Sequence, residues 1–323
     1  MESFEILDVF SGGPGLPYGH YQILTASKTI KYLATIDQNP IIPDVRGEKL
    51  DFAAVPEGNW NVCHLVRKAG TRKFTMGSTE LMTLDSIKKT WYPQMVDYLD
   101  LKDAHSDEDE DELQCQHQMR SGVFHTRFDV DKVIVNWEWD PQCVYGVNHE
   151  TEIYSLIQGH NIGPRFLAHI TENRNRVIGF MVERVPGRHA TYSDLQACRE
   201  VLSKLHNLGI AHGSLEPDIF LVTDDRVLLH SFAGSFQTDD KSALDAEMAA
   251  LEGVLQAGLP QRKPVSQELS DEITAICERD DGIHPAVTDQ AVEQGKITIT
   301  QAEHKKLLLE LWKNEGRWKP EIK

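Results

Sequence analysis

The segment from Asp194 to Gly234, "DLQACREVLSKLHNLGIAHGSLEPDIFLVTDDRVLLHSFAG", restricts the possible folds of this chain more than any other. Leu195, Cys198, Leu202 and Leu205 recur at helical spacing and mark one buried face. Ser193 and Gln196 form a capping-box pattern at the start, and Gly209 supplies the stop. A loop follows, then the strand "IFLVT", a turn at Asp224 and Asp225, and the strand "RVLLHSF". A long helix must therefore end in a His-Gly turn that feeds a tight hairpin.

Upstream, "VDKVIVNWEWD" (130–140) alternates as a strand, and Ile153, Leu156 and Ile157 in "NHETEIYSLIQGHN" have helical spacing. "PRFLAHITENRNRVIGFMVERVPG" (164–187) reads as two strands around a polar turn at 171–176. Residues 1–100 read as short strands broken by turns. Gly12, Gly13 and Gly15 suggest a phosphate loop, but Pro14 and Pro17 interrupt the N–H donors and no GK[ST] follows, so a turn is expected. Trp60, Trp91 and Tyr92 are expected as core or domain-interface anchors, with ligand stacking as the alternative. The remainder, 240–323, reads as largely helical, with "KSALDAEMAALEGVLQ" and "TQAEHKKLLLELWKNEG" as examples. Strands first and helices later indicate an α+β chain with a β-rich lobe and an α-rich lobe.

Charge narrows the function. The net charge of −17 disfavours a general nucleic-acid binder, and part of it lies in "SDEDEDE" at 106–112, expected as a solvated loop. Basic residues Arg67, Lys68, Arg72, Lys73, Lys88 and Lys89 are the ones available for a local patch. The 5 cysteines are dispersed, which indicates neither a disulfide framework nor a zinc site. Cys198 is expected in the core. No apolar run reaches about 18–20 residues, the length of a membrane span, and the start does not read as a signal peptide. A cytoplasmic protein with no membrane partner is the expectation.

The order of strand, helix, "GFMVERVPG" hinge, helix, "LHNLGIAHG" and hairpin resembles the protein-kinase-like superfamily, in particular fungal kinase-like proteins and their aminoglycoside-phosphotransferase relatives. The resemblance covers about 120–240 firmly. It implies a bilobal protein-kinase-like fold: a β-rich region over 1–119 ending in the acidic loop 104–114, an upper lobe over 120–185, and a helical lobe over 186–323. It also implies where the kinase groups should stand. The phosphate-pairing lysine falls at Asn136, with Lys132 earlier on the strand. Its partner acid falls at Glu150 or Glu152. The catalytic-loop Asp becomes Ser214, the metal-binding Asn becomes Ile219, and the later metal-binding Asp becomes Ser231. The glycine-rich loop is missing too, since "RSGVFHTRF" offers only Gly122. Phosphoryl transfer depends on charge positioning, and an apolar side chain cannot ligate magnesium, so kinase activity is not expected. The expectation is no metal and no cofactor.

What remains admits three readings. His212 serves either as a backbone-bonding residue or as a base for Ser214, which is either an acyl acceptor or a loop-capping hydroxyl. Glu216 and Asp218 on the loop, with Glu150, Glu152 and Glu183, are either solvated charges or an acid-lined pocket for a guanidinium. Asn136 and Ser231 complete the candidate substrate-binding set, and Ser214, His212 and Glu216 the candidate catalytic set. The fungal set also resembles the arginine-containing cyclodipeptide synthases. This implies aminoacyl transfer from arginyl-tRNA and a second aminoacyl-tRNA to form a diketopiperazine in secondary metabolism. The alternatives are a catalytically silent pseudokinase that binds a protein partner, and a small-molecule kinase with displaced residues.

Overall fold

Period-two patterning in the first 83 residues becomes a six-stranded sheet. The computed structural model describes residues 1–11, 18–36, 50–71, 73–101, 119–123, 132–140 and 144–259. The architecture is α+β. It divides into two compact units, one within Met1–Thr83 and one within Leu84–Gln261. The expected turn at 12–17, the acidic run and the helices beyond 260 lie outside the described residues, as do Arg72, Cys115, Cys143 and Cys277.

In the first unit, β1 (Glu2–Ser11), β2 (Tyr18–Thr25) and β3 (Ile30–Ile36) form an antiparallel meander. The two-residue β4 (Ala54–Val55) pairs with β1. β5 (Val62–Arg67) joins β3 in parallel, and β6 (Phe74–Glu80) returns antiparallel along β5. Tyr21, Ile23, Leu33, Trp60, Cys63 and Phe74 form its core. Trp60 is thus a core anchor, with its Nε1 donating to Pro56 O at 2.9 Å.

One cation is buried here. Lys31 is 4% exposed; its Nζ donates to Gly58 O at 3.0 Å, sits 4.0 Å over the Trp60 ring and lies 3.9 Å from Glu2 Oε1. Burial pulls its pKa below the ordinary lysine value, and Glu2 opposes that. Lys31→Met keeps the apolar stem but leaves Gly58 O unpaired. Urea denaturation is expected to show a loss of about 1–2 kcal/mol, and an unchanged midpoint would show that neither contact stabilises the sheet.

The second unit opens with residues that precede the acidic run. β7 (Met95–Asp97) is built into its sheet, followed by β8 (Met119–Val123), β9 (Lys132–Trp137), the helix α1 (Val144–Ile157), β10 (Phe166–Glu172) and β11 (Arg176–Glu183). The sheet order is β7-β10-β11-β9-β8, antiparallel except for β7 against β10. Asp97 explains the anchoring of β7: its carboxylate accepts from Thr171 Oγ1 at 3.2 Å and from Arg174 N at 2.6 Å, at the β10–β11 turn. Trp91 adds a second tie, donating from Nε1 to Thr151 O at 2.9 Å with its ring 4.5 Å from Phe166. Tyr92 packs on the same core.

After β11 come β12 (Arg188–His189), α2 (Leu195–His206), β13 (Ile210–Ala211), β14 (Phe220–Val222), β15 (Val227–Leu229), β16 (Phe236–Gln237) and α3 (Lys241–Ala257). β14 and β15 form the expected hairpin, with β12 on the far edge of β14, while β13 pairs with β16. The helix face is as read: Cys198, Leu202 and Leu205 are buried and Leu195 is half-buried. The cap differs. A short 3-10 turn over Tyr192–Asp194 precedes α2, and the reciprocal capping box joins Thr191 and Asp194 rather than Ser193 and Gln196. Arg188 grips Asp194 with two bonds of 2.8 Å, which favours that residue as the cap acid. Apolar contacts run continuously from Phe166 and Phe180 on the sheet through Ile153 on α1 to Leu202 on α2 and Leu251 on α3.

Candidate functional site

β9 is paired on both edges, with β11 and with β8, and Asn136 on it is 8% exposed. On α1 the buried positions include Val147, Glu150, Thr151, Tyr154 and Ile157, a helical stripe that carries one carboxylate into the core. Register brings the two together: Asn136 Nδ2 donates to Glu150 Oε2 at 2.7 Å. Glu150 Oε1 accepts from Phe232 N at 2.9 Å, which ties α1 to the loop after β15. Burial pushes the Glu150 carboxyl up to about 7, against the downward pull of these two bonds. Asn136 Oδ1 is buried without a partner.

Of the two acids left open by the sequence, Glu150 is thus the one beside Asn136. Glu152 instead accepts from Asn148 Nδ2 at 3.1 Å, one turn earlier on the same helix. Lys132 begins β9, opposite Val123 in the register.

The loop between α2 and β14 is held from below by α3. Gly209 ends α2 with φ 69°, and Gly213 adopts φ 79° where an added Cβ would stand 2.1 Å from Gly234 O. Between them, His212 N and Gly213 N donate to the two oxygens of Glu247 at 2.9 and 2.7 Å, and His206 Nε2 contacts the same carboxylate at 2.7 Å. Burial pushes the Glu247 carboxyl up, but His206 and the two N–H groups outweigh it and hold the pKa below the ordinary value. Nothing local in the sequence pointed to Glu247, which sits 34 residues beyond Gly213 on an ordinary amphipathic helix.

His212 is fully buried and its Nε2 donates to His230 O at 3.0 Å, the backbone-bonding arrangement. Ser214 is exposed, and no side-chain base contacts its Oγ among the described residues. Glu216 is exposed at the start of a 3-10 turn over Pro217–Ile219, and Ile219 is buried in the core at 6% exposure. Asp218 Oδ1 is buried without a hydrogen-bond partner.

The hairpin decides what Asp218 faces. His230 N donates to Ile219 O at 3.1 Å, which continues the β14–β15 ladder by one step and sets Asp218 against the His230 ring. Burial lowers the His230 pKa to about 4, with the Asp218 carbonyl and carboxylate acting in the opposite direction. His230 Nδ1 lies 2.9 Å from Ser231 Oγ. Glu183, at the end of β11, pairs with Arg165 Nε at 3.2 Å. The acids grouped by the sequence are therefore distributed: Glu150 inside, Glu152 and Glu183 on neighbours, Glu216 on the surface, and Asp218 beside His230.

Cys63 and Cys198 are free and buried, and burial pushes the Cys198 thiol up to about 12, far from nucleophilic. Among the described residues, no three His, Cys, Asp or Glu side chains are grouped to hold a metal ion, and no helix is long and apolar enough to cross a membrane. The sequence matches no protein-family model and no curated protein.

Proposed function

We propose that Leu84–Gln261 is a protein-kinase-like fold that has exchanged phosphoryl transfer for acyl transfer, and that the protein is a tRNA-dependent synthase of arginine-containing cyclodipeptides. The Asn136–Glu150 contact carries this reading. In a kinase, a strand lysine and a helix glutamate form an ion pair that positions the nucleotide phosphates. Here a strand and a helix meet through the same kind of contact, but the strand partner is a neutral amide at 2.7 Å. Ile219, at the position of the metal-binding Asn, is committed to the core. The order of sheet strands, helix, hinge, helix and hairpin supports the frame. Acyl transfer requires a nucleophile, a base and a binding site, without a phosphate clamp.

For the arginyl group, Glu216 is the acid left exposed on the loop. For tRNA, the β5–β6 turn collects exposed Arg67, Lys68 and Lys73, although Lys68 is paired with Asp51. Full-length protein expressed in a bacterial host with charged tRNAs is expected to yield an arginine-containing cyclic dipeptide by mass spectrometry. Soluble protein without any such product would eliminate the synthase.

The engagement of Glu152 and Glu183 by their neighbours favours the second reading, a pseudokinase that binds a protein partner. Thermal shift separates nucleotide binding from both. Neither should show stabilisation by magnesium-ATP, whereas ligand at 100 times its Kd would add about 2.7 kcal/mol.

A further inference from the structure

Ser231 combines three features that no other hydroxyl of the loop has. Its backbone is left-handed, with φ 62° and ψ 55°, a conformation unfavourable to any residue carrying a Cβ. Hydrogen bonds on either side hold it there: His230 N to Ile219 O at 3.1 Å, and Phe232 N to Glu150 Oε1 at 2.9 Å. Strain maintained by the surrounding structure in this way is concentrated at functional positions. Its Oγ is 2.9 Å from a ring nitrogen, His230 Nδ1.

The other side of that ring explains how Nδ1 becomes the acceptor. His230 Nε2 is buried without a hydrogen-bond partner, and so is Asp218 Oδ1. The Asp218 carbonyl and carboxylate both favour a proton on the ring. A proton on Nε2, attracted by Asp218, leaves the Nδ1 lone pair directed at the Ser231 hydroxyl. Burial keeps the ring neutral near pH 7, so the Nδ1 lone pair is available, and Asp218 offsets part of the cost that burial places on the protonated ring.

We propose that Ser231 is an acyl-accepting nucleophile, with His230 Nδ1 as its base and Asp218 as the residue that fixes the ring's tautomer. The proposal deepens the acyl-transfer reading and rests on it for the identity of the acyl donor. In the step, the Oγ proton passes to Nδ1 as Oγ bonds to the carbonyl carbon of an aminoacyl ester. The tetrahedral adduct collapses by breaking the ester C–O bond, and the departing ribose oxygen takes the proton from Nδ1. The amine of a second aminoacyl ester then attacks the acyl-serine, giving its proton to Nδ1, and Oγ leaves and recovers that proton.

A fluorophosphonate probe tests the nucleophile without tRNA. The full chain should gain one adduct, mapped to Ser231 by peptide mass spectrometry. Ser231→Gly, which suits a left-handed backbone, should melt no lower than the parent and lose the adduct. His230→Gln should slow labelling about 100-fold or more, the range of general-base contributions. Asp218→Asn should slow it and displace the pH profile of labelling, a change that a purely structural role would not produce. No adduct on folded protein, an adduct on Ser214, or full labelling of Ser231→Gly would overturn the proposal. Ser231 labelling without any cyclic dipeptide in the expression host supports the nucleophile while removing the synthase. Cyclic dipeptide made by Ser231→Gly at the parent rate does the reverse.

Discussion

Glu247→Ala is expected to destabilise the protein by about 2–4 kcal/mol, because one carboxylate accepts from three donors around the loop, two of them part-buried. His212 N and Gly213 N point at it from a segment that leaves no room for rearrangement: His212 is 0% exposed, and Gly213 packs against Gly234 O. A buried donor left without an acceptor costs about 1–3 kcal/mol; water can reach Gly213 N, so most of the loss comes from His212 N and His206 Nε2. Glu247→Gln keeps one acceptor oxygen and should cost roughly half as much. Urea denaturation provides the comparison, and hydrogen exchange at residues 210–216 shows where the structure opens. A loss below about 1 kcal/mol for Glu247→Ala would mean that the loop does not depend on α3. Because this carboxyl sits below its ordinary value, its stabilisation is present above the unfolded pKa near 4.5 and is lost as pH falls through the folded value.

Glu150 is expected to give the opposite pH dependence, and nearly as large an effect. Its carboxyl is raised from 4.5 to about 7, so the folded state prefers the protonated form. The stability it permits is fully present below pH 4.5, declines as pH rises through 7, and stays lost above that. A shift of this size corresponds to about 3 kcal/mol across the window. Glu150→Gln should remove this component, so that variant and parent diverge progressively in stability from pH 5 to pH 8. The amide fits: one oxygen accepts from Phe232 N, and its NH2 can donate to Asn136 Oδ1, now buried without a partner, once the Asn136 amide turns over. Asn136→Lys reaches the same end by another route, since a cation 2–3 Å from the carboxylate, roughly ion-pair distance, keeps it ionised. Parallel pH profiles for the parent and Glu150→Gln would show that the carboxyl does not titrate in this range.

How far the sequence could be read depended on the range of the interaction. Helix α2 follows from Cys198, Leu202 and Leu205, and the β14–β15 hairpin from two apolar runs around Asp224 and Asp225, because periodicity and turn chemistry act within a few residues. The cap of α2 was already less legible. Thr191–Asp194 and Ser193–Gln196 both satisfy the local pattern, and Arg188 on β12 favours the first.

Asn136, Glu150, Ser214, Ile219 and Ser231 were identifiable in the sequence as candidate positions by residue type. Which of Glu150 and Glu152 meets Asn136 was not, since two residues apart on a helix turn away from each other and only the packing of α1 on β9 selects one. His230 stood beside Ser231 in plain view, yet its role depends on Asp218 arriving through the β14–β15 ladder. Glu247 could not be seen at all from positions 206, 212 and 213. By itself the sequence determined the α+β character and the helix-to-hairpin order. The tertiary structure alone decided which buried carboxylate is desolvated, which donors it satisfies and which serine meets a base, because hydrogen bonding and desolvation act over a few ångströms between residues that the chain brings together only when it closes.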